Sequence, residues 1–247
     1  MDVAGDETRA AWAIASRKYE DEYAEHLEQA RTVELLPAEV DVLAELVGGA
    51  DVVHPMSGHG LDDIALVRLG ARSVHGLDYS EAAVSSAQRR ADELGMPCRY
   101  TRAAMPESGL EGACADLVYT GKGALIWLPD LRDFFTEVHR LLRPGGWFYV
   151  YEAHPLVPLW AWDADEIRVR PDRGYFASSH VNDSFPANGA VERQHMLSTI
   201  VMACRRAGFE IEHLDEHPEP FWYPGGVTAA VWDGRVPNAF SLLARRT

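Results

Sequence analysis

The residues best placed to do chemistry lie between Val52 and Asp78. The chain reads Val-Val-His-Pro-Met-Ser-Gly-His-Gly over 52–60, continues through a helical stretch, and closes with Ser-Val-His-Gly-Leu-Asp over 73–78. That order predicts a buried strand, a glycine turn, a helix and a second strand ending in a carboxylate. Gly58 and Gly60 let the backbone approach a ligand closely. Asp78 follows Gly60 by 18 residues, the spacing at which a carboxylate takes both hydroxyls of a ribose. The expected ligand is an adenosine-type cofactor.

A dinucleotide fits this turn poorly. Pyrophosphate binding calls for a small residue three positions after the second glycine, at the helix N-terminus that receives the negative charge. Asp63 stands there, preceded by Asp62, and two carboxylates repel pyrophosphate, although they also suit the first turn of a helix. No GxxxxGK[ST] stretch marks a P-loop. A cofactor with a ribose, no phosphate and positive character fits better, and S-adenosylmethionine is the candidate. Methyl transfer from its sulfonium requires a nucleophile held close, water excluded, and a proton removed where the nucleophile carries one. Candidate proton acceptors are Glu152 and His154, directly after the fifth predicted strand, and His195 at the start of a late helix. Histidine titrates near pH ~6.5 and takes a proton at neutral pH. A satisfied structural histidine and a reaction driven by proximity alone stay open. Aromatic rings that suit a cation are Trp160, Trp162, Tyr175 and Phe176, then Phe221, Trp222 and Tyr223, with packing under a long loop as their other role.

The elements that must position these groups follow from periodicity. Trp12, Ala13, Tyr19, Tyr23 and Leu27 among charges predict an amphipathic helix, whole or interrupted, within 7–31, and a second helix follows Pro37. Strands are expected near 51–56, 73–78, 98–102, 115–119 and 146–151, with helices over 61–70, 81–94 and 130–142. Such alternation means a parallel sheet with helices on both faces and a ligand at the carboxyl ends of the strands. Residues 152–192 lose all period and are read as an aromatic-rich cap. A helix over 193–207 and strands at 209–214 and 239–244 complete the sheet. The division is therefore a lid (1–48), a cofactor-binding core (49–151), a cap (152–192) and a closing segment (193–247).

Composition narrows the partners. The 247 residues carry a net charge of −15, which disfavours nucleic acid and anionic membrane. Cys98, Cys114 and Cys204 are scattered without CxxC pairing, so no metal site is expected and a reducing cytoplasm is. The acidic start lacks a signal-peptide core, and no apolar run is long enough to span a bilayer.

From about residue 8 onward the chain resembles the class I S-adenosylmethionine-dependent methyltransferases of the small-molecule type. The matching stretches are Val53-His54 through Gly60-Leu61-Asp62, Arg68-Leu69-Gly70-Ala71 and Gly76-Leu77-Asp78-Tyr79-Ser80. Asp116 through Leu125, Trp127-Leu128-Pro129-Asp130 and Leu141-Leu142-Arg143-Pro144-Gly145-Gly146 follow in order. The resemblance implies a Rossmann-like, seven-stranded, mostly parallel α/β sheet whose last strands form an antiparallel edge hairpin. It also implies cofactor contacts from His54, Met56, Ser57, Gly58, Gly60, Asp78, Tyr79, Met105, Thr120, Gly121 and Tyr19. Asp78 takes the ribose, Tyr79 and Met105 flank the adenine, and Thr120 and Gly121 wall the methionine portion. Tyr19, with Tyr23, closes the site. His54 stands where the family has a carboxylate for the cofactor's ammonium, and Met56 where it has a glycine; a His-x-x-Cys subgroup is similar. Arg102 through Pro106 lacks the family's adenine-binding Asp, and Lys122 reads as a solvated lysine first and as the partner of a carboxylate second.

The expected activity is methyl transfer to an oxygen or nitrogen of a small molecule. Two alternatives are attack of the cofactor's own amine with release of methylthioadenosine, and a non-catalytic cofactor-binding protein. A homodimer is common in such enzymes, but no residue here defines an interface.

Overall fold

The alternating pattern folds into one seven-stranded sheet. The computed structural model describes residues 3–223 and 227–247, so Met1 and Asp2 of the acidic start lie outside the described residues. Four helices come first: α1 (Val3–Ala15), α2 (Lys18–Asp21), α3 (Tyr23–Ala30) and α4 (Pro37–Leu43). The core then runs β1 (Asp51–Pro55), α5 (Leu61–Leu69), β2 (Ser73–Asp78), α6 (Glu81–Leu94), β3 (Cys98–Arg102), β4 (Ala115–Gly121), α7 (Leu131–Leu141) and β5 (Leu142–Ala153). Four short strands follow, β6 (Trp160–Ala161), β7 (Arg168–Val169), β8 (Ser179–Val181) and β9 (Val191–Arg193). The chain finishes with α8 (Leu197–Arg206), β10 (Phe209–His217) and β11 (Ala239–Arg246).

The sheet order is β10-β11-β5-β4-β1-β2-β3. All its pairings are parallel except those of β11 with β5 and β10. Strand order reverses between β1 and β4, and ligands bind at the carboxyl end of such a switch. Side chains alternate between two buried faces, as expected for a sheet covered on both sides. Val118, Phe148, Val150 and Phe240 face α7 and α8, whereas Leu117, Tyr119, Tyr149 and Tyr151 join the cluster that includes α4, α5 and α6 residues. Helix α7 shows why local sequence suffices here. Leu131, Phe134, Phe135, Val138 and Leu141 make one buried stripe, and the Asp130 carboxylate accepts the Arg132 N–H to start it.

Two elements differ from expectation, and a third takes the interrupted form of the two allowed for it. The helix within 7–31 is three helices, and the breaks let Tyr19 reach α6, where the Ser86 hydroxyl donates to its carbonyl at 2.8 Å. The last helix starts at Leu197, because residues 191–193 pair with β8 instead. The aperiodic 152–192 stretch holds two ribbons, β6–β7 and β8–β9, whose strands are too short to show a period. Among the described residues, no helix is long and apolar enough to cross a membrane.

Candidate active site

A cavity of about 1300 Å³ opens over the carboxyl ends of β1, β2 and β4 and runs beneath the cap. Its floor is the turn after β1. The Ser57 N–H donates to the Leu77 carbonyl at 2.9 Å, and Met56 and Gly58 both take positive φ, 61° and 53°. This bend aims the Gly58 N–H at Asp78 Oδ2, 3.0 Å away, while the Ser80 N–H reaches Oδ1 at 2.9 Å. Burial raises the Asp78 pKa above its ordinary value, opposed by those two N–H bonds. Ser57 Oγ and Tyr79 Oη are buried, border the cavity and have no partner among the described residues.

His54, Met56, Ser57, Gly58, Asp78, Tyr79, Met105, Gly121 and Tyr19 all line the cavity; Gly60 and Thr120 do not. A Cβ on Gly60 would collide with the Tyr100 hydroxyl, so this glycine makes room for a core tyrosine rather than for a ligand. Thr120 is fully buried and donates to the Pro55 carbonyl at 2.8 Å, tying β4 to β1 behind the wall. Gly121 is required at its place, since a Cβ there would run into the Tyr151 carbonyl. Tyr23 points to α6 instead, its hydroxyl 3.1 Å from Glu93.

Beneath the turn lies a buried charge network. His54 Nδ1 is 2.6 Å from Asp63 Oδ1, and Asp63 is fully buried. A carboxylate accepts only, so Nδ1 carries the proton. Lys122 is not solvated: its Nζ sits 2.7 Å from Asp62 and 2.9 Å from Glu39. Burial lowers the Lys122 pKa, but the two carboxylates more than offset this and leave it above the ordinary value. Asp62 goes the other way, burial raising it and Lys122 bringing it below the usual range. Glu39, at 0 % exposure, also accepts from the Tyr119 hydroxyl at 2.6 Å and the Leu36 N–H at 2.9 Å. This arrangement welds α4 to the core.

The three expected proton acceptors border the cavity, each held differently. Glu152 is a clamp. Its carboxylate accepts the N–H groups of Gly123 (2.6 Å), Ala124 (2.8 Å), Leu125 (2.9 Å) and Ala153 (2.8 Å), shaping the loop after β4. Burial raises its pKa and these bonds oppose the rise. His154 Nδ1 accepts the Leu156 N–H at 3.2 Å, and Nε2 lies 2.9 Å from Glu216, out of line for a full hydrogen bond. His195 Nε2 is 2.8 Å from the Leu128 carbonyl, so that nitrogen donates. Burial lowers both histidines' pKa values.

The cap supplies what the sequence did not reveal. Pairing of β8 with β9 sets His180 opposite Glu192, Nε2 2.7 Å from Oε2, with the Asn182 amide donating to the other carboxylate oxygen. Trp160, Trp162, Phe221 and Trp222 line the cavity, joined by Trp12, Trp127, Phe185 and Trp232. Tyr175 and Phe176 instead pack on each other, Phe176 being 85 % exposed, and Tyr223 packs on Trp232 outside the lining.

Residues 52–146 match the family described as a methyltransferase domain. The chain has the class I S-adenosylmethionine-dependent methyltransferase fold. An S-adenosylmethionine-dependent methyltransferase from Mesorhizobium loti superposes with a TM-score of 0.67 at 28 % identity, over 85 % of this chain and 98 % of that one. The geranyl diphosphate C-methyltransferase of Streptomyces coelicolor, at 17 % identity, shares the fold with a TM-score of 0.63, over 85 % and 79 %. By sequence, the phthiotriol/phenolphthiotriol dimycocerosates methyltransferase of Mycobacterium tuberculosis is 30 % identical over 48 % of this chain and 43 % of its own length. Methyltransferase phqN of Penicillium fellutanum is 22 % identical over 68 % and 48 %. The chain spans about half the length of these curated relatives. The methyltransferase cofactor, S-adenosylmethionine, fits the residues present: a half-buried carboxylate at the end of β2, of the kind a ribose would need, and two unpartnered hydroxyls bordering the same cavity.

Proposed function

We propose that the chain transfers a methyl group from S-adenosylmethionine to an oxygen or nitrogen of a small molecule held beneath the cap. One observation carries this reading: the Gly58–Asp78 cradle and the Trp160, Trp162, Trp222 and Trp232 walls border the same cavity. When bound, the cofactor supplies an electrophilic methyl carbon. Asp78 holds the ribose, Tyr79 and Met105 flank the adenine, and His54, Met56, Ser57, Gly58 and Gly121 receive the methionine end. Tyr19 covers the cofactor from α2. Residues 1–48 act as a lid and 152–192 as the acceptor cap, and both exclude water from the reacting atoms, which strengthens every electrostatic contact there. The relative named as a phthiotriol/phenolphthiotriol dimycocerosates methyltransferase supports an acceptor that is a metabolite rather than a nucleic acid. The net charge of −15 argues against nucleic acid. Cytoplasmic small-molecule metabolism belongs to the same reading, as does a homodimer.

The test is mass spectrometry of the protein incubated with S-adenosylmethionine alone and with a metabolite extract. S-adenosylhomocysteine formed only with extract, with a product heavier by one methylene, is the expected result. Methylthioadenosine formed without extract overturns the reading.

A further inference from the structure

The cap carries a histidine–carboxylate pair that the roles assigned above do not use. His180 and Glu192 face each other across the β8–β9 ribbon, and both border the cavity. The ribbon lies over the cofactor end of the sheet. Strand β9 packs on the 3-10 turn Leu125–Trp127, which the Glu152 clamp holds directly after β4, and on α1. The pair is well enclosed, the two side chains being 10 % and 11 % exposed.

Its tautomer follows from its partners. An ionised carboxylate only accepts, so His180 Nε2 carries the proton shared with Glu192 at 2.7 Å. Nδ1 is then the accepting nitrogen, and it has no partner among the described residues. Glu192 is itself oriented by the Asn182 amide, whose Oδ1 in turn accepts the N–H groups of Ser184 and Ala187, both at 3.1 Å. A base held in one tautomer by a carboxylate, which is held by a third group, is the arrangement that activates a hydroxyl. Arg170 and Arg173, which border the same cavity, both pair with Asp172 and Asp183. Of the other histidines at this wall, His195 leans on a carbonyl, which stabilises an imidazolium less than a carboxylate does. The Trp160 indole N–H, from a residue lining the same cavity, is buried without a partner, a donor left for a ligand's oxygen.

We propose that His180, backed by Glu192, is the proton acceptor for the hydroxyl of a phenolic acceptor, so that the reaction is an O-methylation. This rests on the methyl-transfer reading and sharpens it. A neutral amine attacks through its lone pair and sheds its proton afterwards, whereas a hydroxyl gains its nucleophilicity as the proton leaves. The acceptor oxygen bonds to the methyl carbon while the carbon–sulfur bond breaks, its electron pair staying on sulfur. The hydroxyl proton passes to His180 Nδ1, Glu192 balances the imidazolium, and the proton leaves to solvent with the products. The tryptophan-lined walls suit the ring of the phenol.

The experiment needs no turnover. Native protein saturated with S-adenosylhomocysteine is titrated with 4-nitrophenol, whose yellow phenolate is read by absorbance, and cofactor affinity is measured separately by calorimetry. The expected result is a phenolate-to-phenol ratio for the bound probe roughly tenfold or more above that of free probe at the same pH, as an imidazolium alongside brings about. His180→Gln abolishes the rise, and Glu192→Gln, which keeps the shape and removes the charge, reduces it. Both variants keep the native affinity for S-adenosylhomocysteine. No binding of the probe, no rise in native protein, or a rise unchanged in both variants overturns the proposal. Native protein that binds no S-adenosylhomocysteine overturns the methyl-transfer reading and this one with it, whereas cofactor binding without the phenolate signal overturns this one alone.

Discussion

Replacing Lys122 by Met tests the charge network that joins the N-terminal helices to the cofactor turn. The ammonium lies between Asp62 and Glu39 at 2.7 and 2.9 Å, and Glu39 has no solvent exposure. Removing one partner of a buried ion pair costs about 3–5 kcal/mol, because the charge left behind is unpaired. The lower end applies here. Asp62 keeps 21 % side-chain exposure, and Glu39 retains its bonds from Tyr119 and Leu36. A loss of about 3 kcal/mol corresponds to a Tm drop of about 6–12 °C in a chain of this size. Glu39→Gln alone leaves Lys122 with Asp62 and costs about 1–2 kcal/mol. The double variant K122M/E39Q removes a stranded charge, so it costs at least about 1 kcal/mol less than the sum of the single losses. Circular dichroism melts of the four proteins, read as a double-mutant cycle, measure this. A Lys122→Met drop under about 2 °C, or single losses that simply add, would refute the reasoning.

Asp78→Asn weakens S-adenosylhomocysteine by roughly 10- to 100-fold in calorimetry, the worth of charge-assisted bonds to two hydroxyls; unchanged affinity removes Asp78 from the site. Glu152→Gln turns an amide N–H toward backbone donors that need an acceptor, so urea midpoints reveal a loss of about 2–4 kcal/mol. A Glu152→Gln protein of native stability that binds cofactor yet fails to turn over would restore Glu152 as a base. Burial pushes the His59 pKa down to about 4. The unfolded chain therefore takes up a proton on His59 below about pH 6.5 while the folded chain does not, and stability falls as pH drops from there toward about 4. Asp62, held below the usual carboxylate range, loses stability in the acid direction too, whereas Asp78 and Glu152, both raised, gain it. His59→Phe keeps a ring against Tyr19 and His26 and flattens the acid limb of the stability profile; an unaltered limb counts against this assignment.

The sequence by itself determined the core. The strand–turn–helix–strand unit from Asp51 to Asp78 is local: its geometry follows from apolar runs, glycine and the side-chain period, so the turn after β1 and the carboxylate ending β2 were readable from spacing, while the Gly58 N–H bond to Asp78 emerged only from the fold. The same holds for α7, whose stripe and cap lie within a dozen residues. Side-chain roles were another matter, because type and position along the chain do not say which way a group turns or what meets it. Glu152 reads as a base at a strand end, yet three N–H groups from the loop after β4 converge on it beside that of its neighbour Ala153. Gly60 reads as ligand-facing, yet Tyr100 of β3 occupies the space that a Cβ would need. Lys122 reads as solvated, yet Glu39 arrives from a helix before the sheet begins. His180 and Glu192 meet only through the register of a ribbon too short to leave a pattern. Hydrophobic period is a property of neighbours in sequence and survives in a one-dimensional reading. The pairing of charges, the filling of a glycine's space and the enclosure of a base depend on segments remote in the chain, and only their packing together decides them.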